Sequence, residues 1–443
     1  MPPSTSWRGA GAVSLCRVRF PASRRPVALV SALCALVAAA ALGAPAVGAH
    51  VGGHVRAQPP ACDNRVPPPA VDTSEQVPPG GVTPSVLPVP EEPIGGEGLG
   101  GCGPVLPADA PKLPDGLNAA AWVLADLDSG AVLAGQDPHG RQRPASVIKV
   151  LLASVVVKEL AGDAKVVATA EDTAQECTCV GLREGAEYTV DQLLQVLMMV
   201  SGNDVAHALA RKLGGVPAAL AKMNALAAEV GALDTRAASP SGLDAPGMST
   251  SAYDMALIFR AALRQPRVAK AMATLTVDFP AADGNGTVVL GSDNRLLSGY
   301  EGALGGKTGF TDDARHTFVG AAQRGSRRLV VVLLRGEPQP LRLTEQAALL
   351  LDYGFALPAT QPVGRLVDGR PTTAKPTPTT PSPAVPAPAG VAGAQEVRDP
   401  DAFGTIGLPI TIVAGAGLAL GLVVFLRKRR ARAAQVASAT DRQ

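Results

Sequence analysis

Three short groups of residues in this chain could carry chemistry. In Ser146-Val147-Ile148-Lys149 a hydroxyl and an amine stand three residues apart. On a helix, positions i and i+3 share a face, so this spacing brings the two groups together. A serine hydroxyl is a weak nucleophile until a base takes its proton. A lysine serves as that base only where burial or a nearby cation lowers its pKa. Pro144-Ala145 immediately ahead marks a helix start, where unpaired N–H groups and the helix dipole favour an oxyanion. Ser and Lys at this spacing should also occur by chance about once in a chain this long, so the pair alone reads equally well as a solvated surface pair.

Ser201-Gly202-Asn203 falls between two helical stretches. Taken alone it reads as a capped interhelical turn. Ser292-Asp293-Asn294 has the same form, but it leads from a turn into a strand and is set aside. Lys307-Thr308-Gly309 lies within a strand-like run at 304–310. Its cation and hydroxyl suit a carboxylate, and its glycine suits a strand that a ligand approaches closely. Alone it also fits an edge strand guarded by lysine. In this order the three groups are far more specific than each part, and they resemble the signature shared by penicillin-binding proteins and β-lactamases.

The elements that must position these groups follow from pattern. Runs at 122–127 and 131–134 flank Asp128-Ser129-Gly130 and predict a hairpin. Helices are predicted at 146–160, 190–200, 204–213, 218–230, 251–264 and 345–353. Strands are predicted at 305–310, 317–322 and 329–334, the last two joined at Gly325-Ser326. Strands at both ends of a helical middle imply an α+β fold with one sheet whose first and last segments pair.

Composition sets the frame around this domain. The 443 residues include 40 prolines, which gather near 57–115 and 357–400 and leave 116–356 as one globular domain. Residues 1–49 carry five Arg and no acid ahead of and around an apolar run at 27–42, and are expected to be a secretory signal. Residues 50–115 are expected to be a disordered Pro/Gly-rich segment, and 357–405 a Pro/Thr/Ala-rich stalk. Residues 406–426 are uncharged and long enough to span a bilayer. The basic tail 427–443 then places that end in the cytoplasm and the domain outside the membrane. Residues 50–426 hold 29 basic and 37 acidic side chains, a balance that argues against nucleic acid as partner. Cys62 could pair with Cys102, and Cys177 with Cys179. No histidine of the domain stands at ligand spacing to a Cys or Glu, so no metal is expected.

The stretches AWVLADLDSGAVLAG, RPASVIKVLLA, GAEYTVDQLLQVLMMVSGNDVAHALA, ASPSGLDAPGMSTSAYDMA and NRLLSGYEGALGGKTGFT resemble the D-alanyl-D-alanine carboxypeptidase family across residues 118–336. The resemblance implies a penicillin-binding transpeptidase-like fold, an antiparallel sheet with an all-helical subdomain. It implies removal of the terminal D-Ala from peptidoglycan stem pentapeptides, and inhibition by β-lactam antibiotics. It implies Ser146 as nucleophile, Lys149 as base and Ser201 as proton relay. Asn203 would touch the substrate amide, and Lys307, Thr308 and Gly309 the substrate carboxylate. The N–H groups of Ser146 and Phe310 would form the oxyanion hole. It implies no cofactor and no metal. Three features depart from the family pattern, one being that the segment 57–115 has no match and is assigned no function. A stalk and span stand where a second C-terminal domain is usual, and 312–316 differs from the Ala-Gly form of many members.

Three other readings share these motifs. A class A β-lactamase would need Glu-x-x-x-Asn between the second and third groups. The glutamates there, Glu229 and Glu301, have no Asn four residues on. A DD-endopeptidase would use the same residues. A non-catalytic wall-binding protein would be expected to lose Ser146, Lys149 or Lys307, and all are present.

Overall fold

A computed structural model describes residues 65–370 apart from 177, 359 and 360. In chain order the strands are β1 Pro104–Val105, β2 Ala121–Asp126, β3 Ala131–Gln136, β4 Lys165–Val167, β5 Glu187–Thr189, β6 Thr276–Pro280, β7 Thr287–Gly291, β8 Ala303–Thr311, β9 Arg315–Arg324, β10 Arg327–Gly336 and β11 Gly364–Arg365. The helices are α1 Lys149–Glu159, α2 Ala170–Thr173, α3 Val190–Val200, α4 Asn203–Lys212, α5 Val216–Glu229, α6 Ala252–Leu263, α7 Pro266–Met272, α8 Arg295–Gly299 and α9 Leu343–Ala356.

The main sheet is antiparallel, in the order β1-β3-β2-β10-β9-β8, with β11 also on β3. First and last segments therefore pair, as the pattern predicts: Val123 faces Val332 and Ala125 faces Val330 across β2 and β10. Alternate side chains of a strand point to opposite faces. Val123 and Ala125 enter the helical layer with Val156 and Phe259, while Trp122 and Leu124 pack with Leu350 and Leu351 of α9. Both faces of β2 are covered, so the whole strand is buried. Helix α1 has buried residues on all sides, from Lys149 to Val156, as befits a helix at the centre of a layer. Thr189 and Gln192 close a capping box at α3, and Ser251 caps α6. Two small hairpins, β4–β5 and β6–β7, were not legible in the sequence pattern.

Residues 65–115 correct the expectation of a disordered segment. They form a strap packed on the domain. The Arg141 guanidinium donates to the carbonyls of Arg65, Leu87 and Pro88 at 2.9, 2.7 and 2.7 Å. His139 Nε2 donates to Ile94 O at 2.9 Å. Arg143 pairs with Glu75, Leu99 is fully buried, and β1 joins the sheet. Proline-rich chain has few N–H groups of its own, so it offers carbonyls and takes donors from the domain. The stalk was expected from 357, but β11 and Leu366 still belong to the domain. Cys102 and Cys179 are each in a disulfide. Cys62, Cys177, the signal at 1–49, the span at 406–426 and the tail lie outside the described residues. Among the described residues no helix is long and apolar enough to cross a membrane.

Candidate active site

The helix predicted from Ser146 begins as a 3-10 turn, Ala145–Ile148, and becomes α-helical at Lys149. In a 3-10 turn residues i and i+3 eclipse. Lys149 Nζ accordingly lies 2.8 Å from Ser146 Oγ. Ala145 holds a left-handed φ of 48°, which a non-glycine residue adopts only where its surroundings enforce it. Those surroundings are visible. Thr317 Oγ1 of β9 donates to Pro144 O at 2.8 Å. Gly242 crowds the turn so closely that a Cβ there would sit 2.0 Å from Ala145 O. Gly309 of β8 does the same from the other side, where a Cβ would lie 2.8 Å from Ser146 N. Ser146 is the second residue of the 3-10 turn, so its N–H has no partner within the helix.

Lys149 is fully buried. Besides Ser146 Oγ it meets Asn203 Oδ1 at 2.8 Å and Ser241 O at 2.6 Å. Those two oxygens can only accept. A neutral amine has two N–H donors and one lone pair; with both donors committed, the lone pair is left for the Ser146 O–H. Burial holds the Lys149 pKa well below the usual lysine range, and the Lys307 charge lowers it further. Burial lowers Lys307 as well.

Asn203 opens α4, and its orientation is set by donation from Nδ2 to Glu176 O at 2.7 Å. Beside it, Asp204 accepts from the N–H groups of Val180, Gly181 and Leu182, the shortest at 2.9 Å, which fixes the loop opposite. Ser201 is buried in the turn between α3 and α4 with a left-handed φ of 67°. It shares Asn203's turn, but it makes none of the hydrogen bonds that hold Lys149.

Lys307 and Thr308 lie in β8, whose register pairs Gly309 with Thr317. Lys307 Nζ is fully buried and donates to Thr308 O at 2.8 Å. Thr308 Oγ1 donates to Asp293 Oδ2 at 2.6 Å, and that carboxylate lies 3.8 Å from Lys307 Nζ. Phe310 follows with its ring exposed, 4.7 Å from the His316 ring. The fold thus joins Ser146, Lys149 and Asn203 by direct hydrogen bonds, and brings Gly309 of the third group against the Ser146 backbone.

Sequence reasoning missed four contributors. Ser241 acts through its carbonyl, and only the Ser-Gly turn at 241–242 hinted at it. Thr317 and Asp204 carry no motif. Asp293 belongs to the Ser-x-Asn triplet that was set aside as leading into a strand; the triplet leads instead into α8, whose cap is Asn294, and the turn ahead of α8 places Asp293 at Thr308.

Residues 108–337 match the model of a family described as D-alanyl-D-alanine carboxypeptidase. The chain is 49% identical over 266 residues to the D-alanyl-D-alanine carboxypeptidase DacB2 of Mycobacterium tuberculosis, covering 59% of this chain and 90% of that protein. It is 30% identical over 258 residues to DacA of Escherichia coli, covering 55% and 62%. Among solved structures, a D-alanyl-D-alanine carboxypeptidase of M. tuberculosis aligns with a TM-score of 0.57 at 48% identity, over 59% of this chain and 100% of that one. The Streptomyces K15 DD-transpeptidase aligns with a TM-score of 0.53 at 28% identity, over 56% and 100%.

Proposed function

The chain belongs to the D-alanyl-D-alanine carboxypeptidase family, and from that premise we propose that it is a serine-type D-Ala-D-Ala carboxypeptidase that removes the terminal D-alanine of peptidoglycan stem pentapeptides through an acyl-enzyme on Ser146. The observation that carries this reading is the buried Lys149 Nζ, 2.8 Å from Ser146 Oγ and held by Asn203 Oδ1 and Ser241 O, so that in its neutral form both N–H groups have acceptors and the lone pair is free for the Ser146 proton.

In this reading the Ser146 oxygen attacks the carbonyl carbon of the penultimate D-Ala while its proton passes to Lys149. The ammonium so formed has three donors for the three oxygens around it. The negative oxygen of the tetrahedral intermediate faces the N–H groups of Ser146 and Phe310. The C–N bond then breaks and the leaving amine takes a proton, relayed from Lys149 by way of Ser201. Water hydrolyses the ester, returning Ser146 and the shortened peptide. Lys307 and Thr308 engage the free carboxylate of the substrate, and Asn203 its amide. A β-lactam presents a similar carboxylate and acyl carbon, and would acylate the same serine.

The reading extends to location. The expected signal at 1–49, stalk to 405, span at 406–426 and basic tail would hold the domain outside the cell membrane on a single C-terminal anchor.

Incubating the protein and its Ser146→Ala variant with a fluorescent penicillin, and separately with a peptide ending in L-Lys-D-Ala-D-Ala, tests the proposal. Stable labelling and D-Ala release, both lost in the variant, are expected. Rapid penicillin turnover without peptide cleavage would instead mark a β-lactamase. Transfer of the acyl group to an added amine in preference to water would mark a transpeptidase.

A further inference from the structure

The carboxylate-binding pair of this site already holds a carboxylate, and it comes from the chain itself. Thr308 Oγ1 has one proton, and it is donated to Asp293 Oδ2 at 2.6 Å. The same oxygen lies 3.8 Å from the Lys307 ammonium. Asp293 is held in place from behind, since its N–H donates to Met199 O at 2.9 Å and the next residue, Asn294, caps α8. The neighbouring acid of the site, Asp204, is spent on backbone N–H groups and does not reach Thr308. We propose that Asp293 is a built-in competitor for the terminal carboxylate of the substrate, and so determines how strongly the site favours free-acid over neutral chain ends.

The proposal rests on the carboxypeptidase reading of Lys307 and Thr308 and follows from counting protons and charges. A free-acid substrate needs the Thr308 proton that Asp293 holds, and a single hydroxyl proton cannot serve both. If Asp293 stays, two anions share one buried cation. If it turns away, its hydrogen bond and ion pairing are lost. A cavity of about 140 Å³ adjoins Thr308 and Asp293, and Arg295 and Arg342 also line it, so the displaced carboxylate has space and countercharge to turn into. A ligand ending in an amide or ester brings no second anion, so it meets none of the charge repulsion, and its N–H or carbonyl makes no demand that both anions share Lys307. Asp293 therefore weakens binding of anionic ends selectively, which is specificity by repulsion.

The test compares the full-length protein with Asp293→Asn and Asp293→Ala. Substrates are a peptide ending in D-Ala-D-Ala as the free acid and as the C-terminal amide; inhibitors are benzylpenicillin and its methyl ester. Thermal unfolding confirms that each variant folds. Removing the like charge about 4 Å from the incoming anion should lower KM for the free acid about tenfold, with KM for the amide within about twofold. Acylation by benzylpenicillin should accelerate by a similar factor, and acylation by the ester should not. Unchanged or raised KM for the free acid in both variants would overturn the proposal and make Asp293 a support for the Thr308 rotamer. A wild-type protein that is acylated by penicillin but releases no D-Ala would sink the carboxypeptidase reading, while the penicillin and ester pair would still decide the role of Asp293.

Discussion

The hydroxyl of Thr317, near the start of β9, donates a 2.8 Å hydrogen bond to the carbonyl of Pro144, two residues before Ser146. Both ends of this bond are enclosed by protein, and it spans 173 residues of sequence. It ties the central sheet to the strained turn at Ala145. Replacing Thr317 with Val keeps the shape and removes the donor. An unfolding free energy lower by about 1–2 kcal/mol is expected, with a fall in acylation rate larger than that stability change would cause. Equal stability and equal acylation would show that Gly242 and Gly309 suffice to hold the turn.

Gly309 lies in direct line with that bond. A Cβ on it would stand 2.4 Å from Thr317 Oγ1 and 2.8 Å from Ser146 N. The second contact is with backbone, which cannot step aside as a side chain can. Gly309→Ala should therefore lower penicillin acylation about a hundredfold, as a displacement near 1 Å at a reacting centre does. Adding Thr317→Ser should not restore it, because the Ser146 N–H would still be displaced. Stopped-flow acylation rates check both statements.

The pH dependence of acylation should report Lys149. Burial, and then the Lys307 charge, hold its pKa well below the usual lysine range. The base acts as the neutral amine, so the rate falls as pH drops through that pKa. Replacing Lys307 with Gln removes a cation that lowers it. The Lys149 pKa rises, and the acid limb of the profile moves to higher pH. A neutral ester as acyl donor separates this shift from lost carboxylate binding. An acid limb that stays in place would show that Lys149 is not the titrating base.

Stability should carry its own pH signature through Asp244. Burial raises its carboxyl to about 6, with the nearby Asp313 adding to the shift and a hydrogen bond from Thr311 opposing it. A folded-state pKa above the unfolded value means the favourable contribution is complete below about pH 4 and is lost as pH rises through 6. Asp244→Asn should therefore gain on the wild type as pH rises from 4 to 7. Urea midpoints at both values test this; a gap that is constant, or that widens toward pH 4, contradicts it.

The strap should depend on Arg141, which serves three of its carbonyls and also donates from Nε to Asp234 at 2.9 Å. Arg141→Met removes every one of those donors and leaves Asp234 paired with His139 Nδ1 at 2.9 Å. A loss of about 3–5 kcal/mol is expected, as when one member of a buried pair is removed. Hydrogen exchange should rise first across 65–94. Unchanged protection there would mean that Arg143 with Glu75, together with the buried apolar residues, holds the strap alone.

The order and spacing of Ser146, Lys149, Ser201, Asn203, Lys307 and Thr308 were enough by themselves to indicate a serine acyl-enzyme, because each role demands a particular side chain and few residue types can fill it; the stretches between them separated the carboxypeptidase family from β-lactamases. Hydrophobic period was enough for the long elements. Strands β2 and β10 read as apolar runs and α3 as an amphipathic helix, since burial on a repeating face leaves a repeating mark. The small hairpins β4–β5 and β6–β7 left none: they are short, and their burial patterns are mixed. The strap was misread because proline-rich composition reports what a chain cannot do alone, and says nothing of donors that the domain lends it. Tertiary structure alone decided that Ser241 and Pro144 act through their carbonyls, which every residue possesses and no motif can flag. It also decided that Asp293, part of the triplet set aside, meets Thr308: whether a carboxylate faces solvent or a buried ammonium depends on how the turn before α8 packs on α3, and that is a matter of three-dimensional contact between segments about 90 residues apart.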